Sequence, residues 1–221
     1  MKKEIFIYTG SFGSGKTELA INHAQKANKE GKKVVIVDLD IVNPYFRSRE
    51  MREKLKDDNI TVMAPPGKLA MADLPLIMPE TKGLIQTPQH SLILDVGGDD
   101  IGAKSLASFY PVLKDKPYRM LMVINPYRPF TKNKEEIGKM LQEIEQSSRL
   151  KVNGLISNLN LGNKTDLQTV MKGHQIIQQT ARSLKLPVAY LAVLNDLYQT
   201  MKNHEFDIDI FPIQRFMKLP W

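Results

Sequence analysis

The sequence predicts an α/β fold, a mostly parallel doubly wound sheet with helices on both faces. Three observations carry that reading. Short apolar runs at 5–8, 34–38, 60–64, 91–96, 118–125, 152–158 and 188–193 read as strands. Stretches with helical spacing at 17–29, 102–113, 132–149 and 166–184 fall between them. The runs are continuous rather than alternating, as in Val34-Val35-Ile36-Val37, the pattern of parallel strands buried on both faces. Strand–helix alternation implies right-handed β-α-β crossovers, and ligands of such sheets bind outside the carboxyl ends of the strands.

The first strand leads into Gly10-Ser11-Phe12-Gly13-Ser14-Gly15-Lys16-Thr17, a full match to the G-x-x-x-x-G-K-[ST] phosphate loop (Walker A). Position supports the match, because an apolar run precedes it and a helical pattern follows, with Leu19, Ala20, His23, Ala24 and Ala27 on one face. In such a loop the glycines let successive N–H groups wrap a phosphate. Lys16 is expected to reach the β- and γ-phosphates, and Thr17 to ligate magnesium at the positive end of the helix. A bound nucleoside triphosphate follows. Lys26, Lys29, Lys32 and Lys33 close the helix, where cations suit its dipole.

The second strand ends in Asp38-Leu39-Asp40. Two acids straddling one residue at a strand end suit two tasks: one supports the loop threonine and hydrated magnesium (Asp38), the other reaches toward attacking water (Asp40). The third strand is short and is followed by an excursion at 65–79 with four prolines and Gly67. The fourth, Leu92-Ile93-Leu94-Asp95-Val96-Gly97-Gly98, is an apolar run ending in an acid, the Walker B pattern. There Asp95 holds magnesium through water, and Gly98 is a cofactor-binding candidate, since a following glycine offers its N–H to the γ-phosphate. The sixth strand ends at Asn158, and Asn163-Lys164-Thr165-Asp166 matches the Asn-Lys-x-Asp guanine signature. That match starts five residues beyond the strand end and reads equally well as a loop and helix N-cap, which favours ATP over GTP.

Composition bounds the rest. A chain of 221 residues with 42% hydrophobic content fits one domain, 1–221. No cysteine is present, which excludes disulfides, thiolate zinc sites and cysteine nucleophiles. The histidines at 23, 90, 174 and 204 lack metal-binding spacing. A strand begins after four residues and no run approaches a membrane span, so the expectation is a cytoplasmic protein without a signal segment. The formal charge of +7 is spread along the chain, and nucleic-acid binding is allowed but not favoured.

The ordered set of phosphate loop, Asp38-Leu39-Asp40 and Asp95-Val96-Gly97-Gly98 resembles the MinD/ParA/CobQ/CobB group of P-loop NTPases, of the SIMIBI class, over nearly the whole chain. The resemblance implies the P-loop NTPase fold, switch I opening at the second strand, switch II at the Walker B strand, and Asn158 reading the adenine edge. Asn43-Pro44-Tyr45-Phe46-Arg47 and Asn125-Pro126-Tyr127-Arg128-Pro129 suggest a narrower bacterial subgroup. MinD and ParA place a signature lysine after the first glycine, where it crosses a dimer interface to the partner's nucleotide; here that residue is Ser11. Arg47, Arg49 and Arg128 are candidate substitutes.

The leading expectation is a magnesium-dependent ATP-binding switch with slow ATPase activity, an unidentified protein client and a nucleotide-dependent homodimer. Lys16, Asp38 and Asp40 are its catalytic candidates, and Thr17, Asp38 and Asp95 its metal candidates. Alternatives are an ATP-dependent ligase or transferase resembling dethiobiotin synthetase or CobB, a ParA-like nucleic-acid-binding module, and a GTPase.

Overall fold

A computed structural model describes residues 4–40, 52–63, 79–86, 90–98, 100–202 and 206–216. Among these residues eight strands form one sheet: β1 (Ile5–Thr9), β2 (Val34–Leu39), β3 (Ile60–Met63), β4 (Ser91–Val96), β5 (Tyr118–Ile124), β6 (Gly154–Asn158), β7 (Val188–Leu194) and β8 (Ile210–Ile213). Their order is β3-β2-β4-β1-β5-β6-β7-β8, and every pairing is parallel. From β1 the chain first moves one way to β2 and later the other way to β5. The reversal opens a crevice at the carboxyl ends of the central strands.

Among the described residues, eight helices accompany the strands: α1 (Lys16–Lys29), α2 (Arg52–Asp57), α3 (Pro79–Gln86), α4 (Asp100–Ala107), α5 (Tyr110–Leu113), α6 (Lys134–Ser148), α7 (Leu167–Leu184) and α8 (Asn195–Met201). Leu19, Ala20, Ile21, Ala24 and Ala27 of α1 and Leu55 of α2 pack on one sheet face. The other face carries Ile85, Leu106, Leu113, Ile137, Leu141, Ile144, Val170, Ile177, Ala181 and Met201, from α3 to α8. Each fully buried Leu or Ile contributes about 1.5–3 kcal/mol, so both layers hold the sheet firmly. All of β1 and β2 is buried, as their unbroken apolar runs require.

The helical stretch at 102–113 is two helices. Pro111 has no N–H to continue the ladder, so α4 ends at Ala107 and α5 restarts with the proline in its first turn. The strand expected at 152–158 begins at Gly154; just before it the Asn153 side chain accepts from the Met120 N–H at 2.7 Å and the Asn153 N–H donates to the Met120 carbonyl at 2.8 Å. Among the described residues no helix is long and apolar enough to cross a membrane. The segment with Arg47 and Arg49, and residues 65–78 of the proline-rich excursion, lie outside the described residues.

Candidate functional site

The loop between β1 and α1 is bent by three left-handed glycines, Gly10 (φ 137°), Gly13 (φ 72°) and Gly15 (φ 97°). Gly15 is the N-cap of α1 and supplies no side-chain cap, so the helix begins directly at the loop. An array of backbone donors at a helix N-terminus is an anion site. Four distant segments hold the loop in shape. A Cβ on Gly10 would overlap the carbonyl of Val123 in β5, and one on Gly98 would overlap the carbonyl of Gly10. One on Gly15 would strike the amide nitrogen of Asn158, and one on Gly13 would sit 3.2 Å from Nε of Arg128.

Lys16 and Thr17 are buried, and their side chains turn toward the acids at the strand ends. Lys16 Nζ donates to the carbonyl of Ser11 at 3.2 Å and lies 3.9 Å from Asp40 Oδ2. Thr17 Oγ1 donates to Asp95 Oδ2 at 2.7 Å. Asp38 and Asp95 are register partners on the neighbouring strands β2 and β4, and Asp38 Oδ1 accepts from the Asp40 N–H at 3.2 Å. Burial, reinforced by the like charge of Asp40 and opposed by Lys16 and the Thr17 hydroxyl, pushes Asp95 up to about 7. The site thus concentrates negative charge beside an anion cradle, which a cation would relieve.

Several buried polar atoms here have no hydrogen-bond partner: Thr9 Oγ1, Ser11 Oγ, Ser14 Oγ and Asp95 Oδ1. Buried polar groups are seldom left so, and a ligand is one way to satisfy them. Phe12, by contrast, is 68% exposed at the loop's tip. It borders a cleft of about 600 Å³ lined also by Lys16, Asp40, Gly98, Phe130 and Met140. Phe130 and the α6 residues of this cleft were not legible as site residues, because their only signal is position after the fifth strand.

Asn158, expected at the base, donates Nδ2 to the Ser14 carbonyl at 2.6 Å, so one end of its amide supports the phosphate loop. β6 ends at Asn158, and Asp166 caps α7 by accepting from the Thr169 N–H at 2.8 Å. A hydrogen bond with the Thr169 side chain first, then that with its N–H, holds the Asp166 carboxyl below its usual range. Gly162–Lys164 forms a single 3-10 turn between them.

Residues 5–202 match the family described as the CobQ/CobB/MinD/ParA nucleotide binding domain. Among solved structures, the cell division protein FtsY of Thermotoga maritima is similar at 20% identity and a TM-score of 0.63, over 87% of this chain and 62% of that one. FtsY from Mycoplasma mycoides gives 18% and 0.59 over 87% and 60%. Signal recognition particle 54 kDa protein from Aeropyrum pernix K1, in complex with GDP, gives 14% and 0.60 over 86% and 41%. The chain therefore spans about three fifths of the FtsY chains, and at these identities the likeness is one of fold. No curated protein matches the chain by sequence. With the phosphate loop, the acids of β2 and β4 and the parallel sheet all in place, the chain belongs to the CobQ/CobB/MinD/ParA family and is a nucleotide-binding P-loop NTPase.

Proposed function

We propose that this single-domain protein is a magnesium-dependent ATP switch with slow ATP hydrolysis, acting on a protein client in the cytoplasm. The observation that supports it best is the conjunction of an α1 N-terminus without a side-chain cap, a buried Lys16 beside Asp40, and a buried Thr17 hydrogen-bonded to Asp95. Loop N–H groups and Lys16 bind and orient the phosphates. Magnesium suits this donor set, since Asp95 Oδ1 is buried without a partner and hard oxygen donors predominate. Among the described residues no three acids or imidazoles form a closed metal site, so Thr17, Asp38 and Asp95 would share the ion with the phosphates. When bound, it neutralises phosphate charge.

Asp40, beside Lys16 at the mouth, orients the attacking water, and Gly98, backed onto Gly10, offers its N–H to the terminal phosphate. Asn158 keeps Oδ1 for the adenine amino group while Nδ2 holds Ser14. The engagement of Asp166 as an N-cap supports ATP over GTP. ATP loading also favours a homodimer, for which exposed Phe12 and Phe130 flank the mouth. Ser11 means that such a dimer lacks the lysine contact of MinD and ParA. The cleft beside Lys16 favours one second reading, ATP-dependent transfer to a small acceptor.

Binding and turnover of ATP and GTP by wild type, Lys16→Ala and Asp40→Asn test the proposal. The expected result is ATP preference, no binding by Lys16→Ala, and binding without turnover by Asp40→Asn. Turnover only with an added acceptor would favour the transferase, and tighter GTP binding would reverse the base.

A further inference from the structure

The connection from β5 to α6 is a tightly built turn. Asn125 Nδ2 donates to the Asn160 carbonyl at 2.9 Å, and Asn125 Oδ1 accepts from the Tyr127 N–H at 3.1 Å. The Asn125 carbonyl accepts from the Arg128 N–H at 3.0 Å and from Thr131 Oγ1 at 2.9 Å. Tyr127 donates its hydroxyl to the Thr169 carbonyl at 2.6 Å, anchoring the turn on α7. Phe130 has φ 66°, a left-handed conformation disfavoured for a bulky residue, and is 75% exposed.

This construction delivers the guanidinium of Arg128 onto the phosphate loop. The Cβ position of Gly13 lies 3.2 Å from Nε and 3.5 Å from Cζ. Nε is shut off from solvent and has no acceptor, and among the described residues no carboxylate pairs with this arginine. A cation with a buried, unanswered Nε donor thus lies against a glycine loop that leads into the N-terminus of α1. An oxyanion held by the loop would answer that donor.

We propose that Arg128 contacts a phosphate oxygen of the nucleotide held by its own chain. This assignment rests on the nucleotide-binding reading above and adds a cation acting in cis. It implies that this part of the phosphoryl charge is countered without a residue from a second protomer, so the contribution of Arg128 to binding is independent of protein concentration even where a dimer forms. A planar fork suits the task, because guanidinium can donate two parallel hydrogen bonds to a phosphate whereas an ammonium is a point charge.

The test compares wild type, Arg128→Met, Arg128→Lys and Lys16→Ala by calorimetric binding of tripolyphosphate and ATP, with melting temperature measured alongside. Arg128→Met is expected to melt as wild type does and to lose about tenfold to a hundredfold in affinity for both ligands, the range of a lost charge-assisted hydrogen bond. Arg128→Lys recovers part of that loss. Wild-type affinity in Arg128→Met, or a loss matched by a fall in melting temperature and not recovered by lysine, overturns the assignment. If Lys16→Ala loses binding while Arg128→Met does not, the phosphate loop stands and only Arg128 falls. If wild type binds tripolyphosphate through Arg128 yet never turns ATP over, the hydrolysis reading fails and this one holds. An affinity loss in Arg128→Met that appears only at protein concentrations where a dimer forms contradicts action in cis.

Discussion

Asn158 donates to the carbonyl of Ser14 at 2.6 Å, tying the end of β6 to the phosphate loop across 144 positions of sequence. Removing that donor strips a buried carbonyl of its partner, at a cost of about 1–3 kcal/mol. Asn158→Ala is therefore expected to weaken tripolyphosphate as well as ATP, because the cradle itself loosens. Calorimetry with both ligands checks it; unchanged tripolyphosphate affinity would leave Asn158 as a base reader alone.

Asp166→Ala should act on the fold rather than on base choice. Its carboxylate caps α7, and loss of an N-cap costs about 0.5–2 kcal/mol. A lower denaturation midpoint with an unaltered ATP-to-GTP affinity ratio is the expected outcome. A collapse of GTP binding in this variant would mean that the aspartate meets a guanine.

Two glycine substitutions should have opposite signs. Gly98→Ala drives a methyl group into the Gly10 carbonyl, and since backbone lies on both sides the strain reaches about 1–3 kcal/mol and the phosphate loop is displaced. Gly83→Ala, on α3 with open space around it, should stabilise by about 0.4–1 kcal/mol through the unfolded chain. Urea midpoints for the pair, together with ATP affinity for Gly98→Ala, decide the matter.

Asp95→Asn separates stability from function. A carboxyl whose folded value is raised to about 7 stabilises when protonated, so its contribution is present below about pH 4 and is lost as pH rises through 7. At pH 8 the ligand-free asparagine variant should melt higher than wild type, by about 2–4 °C for each kcal/mol relieved. Its stabilisation by magnesium and ATP should shrink. Thermal melts with and without ligand read both effects, and a lower melting temperature without ligand contradicts the account.

His23 sets an acid limit. Its Nδ1 lies 2.7 Å from the Tyr8 hydroxyl, which in turn lies 3.2 Å from that of Tyr190. Burial first, then Lys32 and Lys26, lower His23 from 6.5 to about 4. Above pH 6.5 the imidazole is neutral in both states and the contribution is whole. Between 6.5 and 4 the unfolded chain takes up a proton that the folded chain refuses, removing about 3 kcal/mol at most. His23→Gln keeps an acceptor without titrating, so its urea midpoint should fall less over that window.

Sequence alone places Lys16 and Thr17 at the start of α1 and Asp38, Asp40 and Asp95 at strand ends, since apolar runs and a fixed spacing determine those positions. It does not reveal β8, because Pro212 argues against a strand; the residue is tolerated since β8 lies at the sheet edge. α2 stays hidden because six residues with one buried side chain, Leu55, show no period. Contacts such as Arg128 on Gly13 depend on how β5 and β1 lie side by side, which no local pattern encodes.

The phosphate loop is braced by Gly98, Val123, Arg128 and Asn158, so its final form waits on segments made long after it. A nascent chain exposes residues 10–17 early, but the brace is complete only once β6 has emerged and docked. Nucleotide capture then reports that the central sheet is assembled. By mass action, ligand at 100 times its dissociation constant adds about 2.7 kcal/mol to the finished fold and nothing to its precursors. For this chain, nucleotide added during refolding is therefore expected to stabilise the assembled sheet and leave partly made chains unaffected.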